Sequence, residues 1–289
     1  MSIMIAFKKI VIFGHSGFIG SHLYKYFCET YAQVDVIGYS ESDIDLTQPL
    51  DHHPCIPHFD KHTCVIFCAC IKRDYGDGLD TYKKNMKMIY NFIELIKQSP
   101  VGLCIYFSST AVYGEDIHNT AIDEASPIQP RTYYGGAKVA AEVLLGLTFN
   151  NLPQSNLICV RPPMIYGHNS QPSYGPVSFI DSIQKNKSII IWGDGCEKRE
   201  FLYITDAVKL VDELVLLNQT LLLNLVSGVS FTYMDILKVL SKQLNIETNY
   251  TQQLRTKQKV DHVFNAKKLR DYIPNFTFTP LSEGLQKLL

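Results

Sequence analysis

Tyr134 and Lys138 stand four residues apart in Pro130-Arg-Thr-Tyr-Tyr-Gly-Gly-Ala-Lys-Val-Ala-Ala-Glu142, a segment with helical character. At 3.6 residues per turn their side chains share one face, a turn apart. A phenol of pKa about 10 is protonated at neutral pH, and a neighbouring ammonium favours the phenolate and lowers that pKa. Tyr134 could then pass a proton to or from a hydroxyl or carbonyl oxygen. Hydroxyl side chains also cluster at Ser108-Ser-Thr110, directly after the apolar run Leu103–Phe107. A third cluster, Gly14-His-Ser-Gly-Phe-Ile-Gly20, spaces its glycines G-x-x-G-x-x-G. Glycine lets the backbone turn sharply and approach a pyrophosphate, and a helix start just beyond offers unpaired N–H groups to the phosphates.

These residues need a scaffold, and the hydrophobic pattern predicts one. Ile10–Phe13 reads as a buried strand running into the glycine turn, with a helical pattern over Ser21–Phe27. Gln33–Tyr39 reads as a second strand. It ends Gly38-Tyr39-Ser40, with neither the acid that receives an NAD ribose nor an arginine for the extra phosphate of NADP, so the choice between the two stays open. Asp43-Ile-Asp-Leu46 follows too soon for a full crossover helix, and Thr47–His62, with three prolines and four histidines, reads as irregular. Cys64–Cys70 is a third strand, Leu79–Lys97 a long helix, Leu103–Phe107 a fourth strand and Asn156–Arg161 a fifth. Val177–Gln184 reads as helix, Ser188–Trp192 as a short strand, Ala207–Leu217 as helix and Leu221–Val226 as a sixth strand. Thr232 caps a helix over Tyr233–Leu244. The alternation predicts an α/β fold, a doubly wound parallel sheet with helices on both faces. Ligands meet catalytic groups at the carboxyl edge of such a sheet, where the hydroxyl cluster falls.

Composition narrows the partners. The 289 residues carry 27 basic and 28 acidic side chains, without the basic stripe of a nucleic-acid binder or a membrane-surface protein. No apolar run is long enough to span a bilayer, and Met1–Ala6 leads straight into the first strand without separate charged, apolar and cleavage regions, so a cytoplasmic protein is expected. The cysteines fall largely in apolar strands and read as reduced small hydrophobes. His52, His53, Cys55, His58, His62 and Cys64 crowd together but lack a recurring C-x-x-C or H-x-x-x-H spacing, and no metal is expected.

Together, Gly14–Gly20 (GHSGFIG), Ser108–Gly114 (SSTAVYG), Tyr134–Lys138 (YGGAK), Arg161–Gly167 (RPPMIYG) and Gly193–Asp206 (GDGCEKREFLYITD) resemble the extended short-chain dehydrogenases/reductases, specifically the NAD-dependent epimerase/dehydratase group acting on nucleotide-activated sugars. The resemblance covers essentially the whole chain. It implies a Rossmann-type cofactor domain over residues 1–165 plus about 199–226, and a smaller C-terminal α/β domain over about 166–198 plus 227–289 that binds the nucleotide sugar. It implies that NAD, with NADP as the alternative, is held by Gly14, His15, Ser16, Gly17, Phe18, Ile19, Gly20, Asp45, Leu46, Cys68, Ala69, Lys72 and Asn85, together with Tyr134 and Lys138. Ser109 matches the catalytic hydroxyl, with Thr110 its nearest rival; Tyr134 matches the acid/base, and Lys138 the residue that binds the nicotinamide ribose. Arg199 matches the arginine that grips the diphosphate, a role that guanidinium geometry suits. The resemblance implies Arg255, joined by Lys257, as a further and weaker nucleotide contact. A homodimer through the helices carrying Asn85 and Tyr134 is implied as well.

Three departures from the group's pattern bear on the reaction. Thr110-Ala111 stands where sugar 4,6-dehydratases carry an Asp-Glu pair, which argues against dehydration. Met164 replaces a common asparagine, and Arg255-Thr-Lys-Gln258 is all that remains of an Arg-Pro-Gly-Asp signature. The resemblance therefore implies an epimerase that transiently oxidises a sugar carbon, C4 being the expected one. A nucleotide-4-keto-sugar reductase is the alternative, and a non-catalytic dinucleotide-binding regulator a distant third.

Overall fold

Ile10, Val11, Ile12 and Phe13 are at most 1% exposed, so the run extends as a strand covered on both sides, β1 (Lys9–Phe13). This computed structural model describes residues 5–50, 58–72, 75–171, 175–255 and 258–289, and the chain forms two units. Unit 1 comprises the residues up to Gly114, Ile128–Arg161 and Val208–Leu223. After β1 come α1 (Phe18–Thr30), β2 (Asp35–Tyr39), β3 (Thr63–Phe67), α2 (Leu79–Gln98) and β4 (Leu103–Phe107). A 3-10 turn follows at Thr110–Tyr113, and β5 (Asn119–Ile122) belongs to unit 2. The chain returns to unit 1 with α3 (Tyr133–Phe149) and β6 (Asn156–Arg161).

The strands form a six-stranded parallel sheet in the order β11-β6-β4-β3-β1-β2, closed at one edge by β11 (Leu221–Asn224). Phe13 pairs with both Tyr39 and Phe67, and Phe67 with Tyr106, so β2, β1 and β3 end in line and β4 runs one residue further, to Phe107. That register ends β3 at Phe67 and leaves Cys68–Cys70 in the loop, three residues short of the expected strand. Because β2 and β3 flank β1 on opposite sides, the order in which strands are added reverses beside β1, which is where an open α/β sheet leaves a crevice for a ligand. A core of Phe13, Phe59, Phe67, Phe92 and Tyr106 packs one sheet face; the Phe67 and Phe92 rings lie 4.6 Å apart. Among the described residues no helix lies between β2 and β3, as the short connection predicts.

Unit 2 comprises Glu115–Pro127, Pro162–Ala207 and Asn224–Leu289. It contains β7 (Met164–Tyr166), α4 (Gly175–Gln184), β8 (Ile189–Trp192), β9 (Lys198–Arg199), β10 (Phe201–Tyr203) and the start of α5 (Ile204–Leu217), whose residues from Val208 onward belong to unit 1. After β11 come β12 (Phe231–Thr232), α6 (Tyr233–Leu244), β13 (Tyr250–Gln253), β14 (His262–Phe264), α7 (Lys267–Tyr272) and α8 (Leu281–Gln286). Its strands pair two by two, β7 with β10, β9 with β12, β8 with β13 and β5 with β14. Thr232 caps α6 as expected, in a reciprocal capping box with Asp235.

Candidate active site

The glycine loop sits at the reversal point of the sheet. Gly14 has φ +82°, and a Cβ there would come within 2.8 Å of the Ala69 amide nitrogen. A Cβ on Gly20 would run into the Gly14 carbonyl oxygen. Two loops, after β1 and after β3, thus meet backbone to backbone. No side chain caps the N-terminus of α1, whose N-cap is Gly17, so its first amides are left to an anion. An uncapped helix start behind a glycine cradle fits a dinucleotide pyrophosphate. Ser16 and Ile19 lie within this loop and first turn, and Phe18 faces Lys72, whose ammonium is 5.9 Å from the ring centroid.

His15 packs its ring against Gly38, where any Cβ would clash with it, and the His15 and Gly14 amides both donate to the Tyr39 carbonyl. The end of β2 is not without an acid. Asp43 folds back to accept a hydrogen bond from the Ser40 amide at 2.8 Å, and the Ser40 hydroxyl and amide hold its carboxyl below the usual range. Nothing in the strand itself signals this acid; the Ser-x-x-Asp spacing of Ser40 and Asp43 is the local pattern that could have revealed it. Asp45 accepts from the Thr47 amide and hydroxyl at 2.8 and 2.7 Å. Burial opposes its ionisation, and those bonds outweigh it, so its carboxyl sits low. Leu46 beside it is buried.

Asn85 on α2 uses both ends of its amide on one residue, accepting from the Ile71 N–H at 2.8 Å and donating to the Ile71 carbonyl at 3.0 Å. It fixes the Cys68–Lys72 loop. On α3, buried Gly135, Ala137, Lys138, Ala141, Leu145 and Phe149 recur every three or four residues. A Cβ on Gly135 would lie 2.9 Å from the Ala111 carbonyl oxygen, so this glycine seats α3 on the 3-10 turn. Ser109 caps that turn by accepting from the Ala111 amide at 3.1 Å, with Thr110 next to it. The sheet edge bearing Ser109 and the helix bearing Tyr134 are brought together by this contact.

Lys138 is 5% exposed. Its ammonium donates to the Phe107 carbonyl at 2.6 Å and lies 5.0 Å from the Tyr106 ring centroid and 5.6 Å from that of Tyr134. A carbonyl and two aromatic faces offset the cost of burying the charge. Tyr134, Lys138, Asn85, Cys70 and Tyr106 line one small cavity. The sequence did not reveal that Asp77 caps α3, its carboxylate accepting from the Tyr134 amide at 2.9 Å, because the two lie 57 positions apart.

In unit 2, Arg199 and Arg255 converge on Glu197: Arg255 donates to Oε1, and an Arg199 Nη lies 3.6 Å from Oε2. Met164 packs against Gly175. Lys257 lies outside the described residues, as do His52, His53 and Cys55. Among the described residues no group of three or more His, Cys, Asp or Glu is placed to hold a metal ion, and no helix is long and apolar enough to cross a membrane.

Glu200 follows Arg199 and is 2% exposed. One oxygen accepts from the Ser227 and Gly228 amides; the other has no hydrogen-bond partner among the described residues. Burial pushes its pKa from 4.5 up to about 7, against those bonds and the Arg270 charge. A raised pKa means the folded state holds the proton more tightly. Its contribution to stability is therefore full below about pH 4.5 and is lost as pH rises through 7, by on the order of 3 kcal/mol. In thermal denaturation between pH 5 and 8.5, Glu200→Gln should gain on the wild type as pH rises; parallel curves would remove Glu200 as the source.

Residues 10–220 match the sequence model of the NAD dependent epimerase/dehydratase family, and the chain belongs to that family. It is 35% identical over 123 residues to a putative UDP-glucose 4-epimerase of Methanocaldococcus jannaschii, covering 41% of this chain and 40% of that protein. It is 24% identical over 225 residues to the dTDP-D-glucose 4,6-dehydratase of Mus musculus, covering 70% of this chain and 63% of the relative. The matched stretch thus spans less than two thirds of these curated relatives. In fold it is similar to the UDP-glucuronic acid 4-epimerase of Bacillus cereus, solved in complex with UDP-glucuronic acid and NAD, with a TM-score of 0.79 at 20% identity over 96% of this chain and 97% of that one.

Proposed function

We propose that this protein is an NAD-dependent nucleotide-sugar epimerase that inverts a sugar carbon, C4 in the first instance. The observation that carries the reading is the buried Lys138 ammonium, held on the Phe107 carbonyl and facing the Tyr134 ring at the carboxyl edge of a dinucleotide-type sheet. Tyr134 takes the proton from the sugar hydroxyl and later returns it, while Ser109 orients that oxygen by hydrogen bonding, with Thr110 next in line. Bound NAD supplies hydride acceptance and return at the same carbon. Gly14–Gly20 cradle its pyrophosphate, and Asp45, Leu46, Cys68, Ala69 and Lys72 line its path. Unit 1 holds the cofactor and unit 2 the nucleotide sugar, with Arg199 and Arg255 on the diphosphate. Thr110-Ala111, where a dehydratase carries two acids, supports epimerisation over loss of water.

The reductase reading keeps one specific support, the connection from β2 to β3 without a helix among the described residues. The test is incubation with a panel of uridine and thymidine diphosphate sugars, followed by NMR of the sugar ring. Epimer formation without net change in nicotinamide is expected; turnover only of 4-keto sugars with stoichiometric NAD(P)H loss would establish the reductase instead. The seven described cysteines are all unpaired, which supports a reducing cytoplasmic setting. Tyr90, Val143 and Leu147 lie exposed on α2 and α3, an apolar stripe that suits a second copy of this chain in a four-helix contact. Sedimentation should give a dimer that Leu147→Asp dissociates; a monomeric wild type would dismiss it.

A further inference from the structure

The two arginines expected to grip the diphosphate are already engaged with an anion supplied by the chain itself. Glu197 directs one carboxylate oxygen to Arg255 and the other towards Arg199, 3.6 Å away. The three side chains are about equally sheltered, 20% exposed for each arginine and 19% for Glu197. Arg255 is further fixed by Asp194 at 2.8 Å and lies across Gly193, where its own side chain fills the space a Cβ would need. Arg199 spends a second nitrogen on the Lys198 and Val260 carbonyls. The Val260 amide in turn donates to Glu197 at 3.3 Å. Two guanidinium and two carboxylate groups leave this cluster with no net charge.

We propose that Glu197 is an internal competitor of the substrate diphosphate, a carboxylate that occupies the arginine pair in the unliganded protein and sets how tightly a nucleotide sugar binds. The inference rests on the nucleotide-sugar reading above. A diphosphate reaching Arg199 and Arg255 must separate them from Glu197 or bind with that negative charge beside it, and at partly sheltered sites either costs affinity. By the same competition Glu197 favours release of the product. It is a residue that sets affinity, outside the proton-transfer machinery.

Isothermal titration with uridine diphosphate, and separately with inorganic pyrophosphate, tests this on the wild type and on Glu197→Gln. The amide keeps the size and removes the charge. At least tenfold tighter binding of uridine diphosphate by Glu197→Gln is expected, with NAD affinity in unit 1 and the melting temperature unchanged. Glu197→Asp, too short to reach both guanidinium groups, should bind at an intermediate strength and serves if the amide variant folds poorly. Equal or weaker binding by both variants, with wild-type binding intact, overturns the proposal, makes Glu197 a brace for the arginines and leaves the nucleotide-sugar reading standing. Absence of binding to wild type and variants alike overturns both.

Discussion

Replacing Tyr134 by Phe should lower turnover by about 10²- to 10⁴-fold, the range that a positioned proton donor and acceptor contributes. The loss should appear in kcat, with NAD affinity and melting temperature close to wild type. The ring would stay in place, since the backbone of residue 134 is held independently: Thr132 caps α3 through the Gly135 amide at 2.9 Å, and Asp77 holds the Tyr134 amide. Only the hydroxyl is lost. Lys138→Met should lower kcat by a similar factor, because it keeps the buried stem and removes the ammonium that the Phe107 carbonyl orients. Steady-state kinetics on the best sugar of the panel, alongside thermal denaturation, separate this outcome from misfolding. Near-normal turnover in Tyr134→Phe would remove Tyr134 from the chemistry.

The largest effect on stability should come from Glu142→Ala. One turn beyond Lys138, Glu142 receives a two-pronged bond from Arg161 at the end of β6, at 2.9 and 2.6 Å. A third donor of the same guanidinium bonds the Tyr113 hydroxyl at 2.8 Å. Arg161 has only 4% of its side chain exposed, so deleting its partner strands a charge in the interior. Breaking such a pair costs about 3–5 kcal/mol, which for a chain of this size lowers the melting temperature by on the order of 10 °C. Replacing both partners, Arg161→Met with Glu142→Leu, should recover most of the loss, because two apolar side chains leave no stranded charge. A double variant as unstable as Glu142→Ala would mean that the cost lies in packing. The pair ties α3 to the sheet, so Glu142→Ala should also lower activity.

The strands of the large sheet were legible because parallel strands buried on both faces read as unbroken apolar runs. Leu103–Phe107 and Asn156–Arg161 fall where the pattern placed them, as does the helix Tyr233–Leu244 behind its threonine cap. The first helix starts at Phe18, three residues before the expected Ser21, because Gly17 serves as its N-cap and the glycine loop is tighter than the apolar pattern suggests. Of the short ladders of unit 2, only the strand Ile189–Trp192 was legible, within the expected Ser188–Trp192. Lys198–Arg199, Phe231–Thr232 and Tyr250–Gln253 are two to four residues long and owe their extension to distant partners rather than to periodicity. Within the site the same division holds. Tyr134 and Lys138 announce themselves by a one-turn spacing. Asp77 on Tyr134 and Glu197 on Arg255 join residues 57 and 58 positions apart, and no local pattern encodes such contacts.

Retention of the cofactor through the catalytic cycle is the central claim of the epimerase reading, since the hydride must return to the sugar it came from. Freshly purified protein, denatured and separated by chromatography with mass spectrometric identification, reports on this directly. Near-stoichiometric release of NAD or NADH is the expected result. Protein that releases no nucleotide and then binds NADPH or NADH reversibly would contradict it and favour the reductase, and protein that binds neither would contradict both.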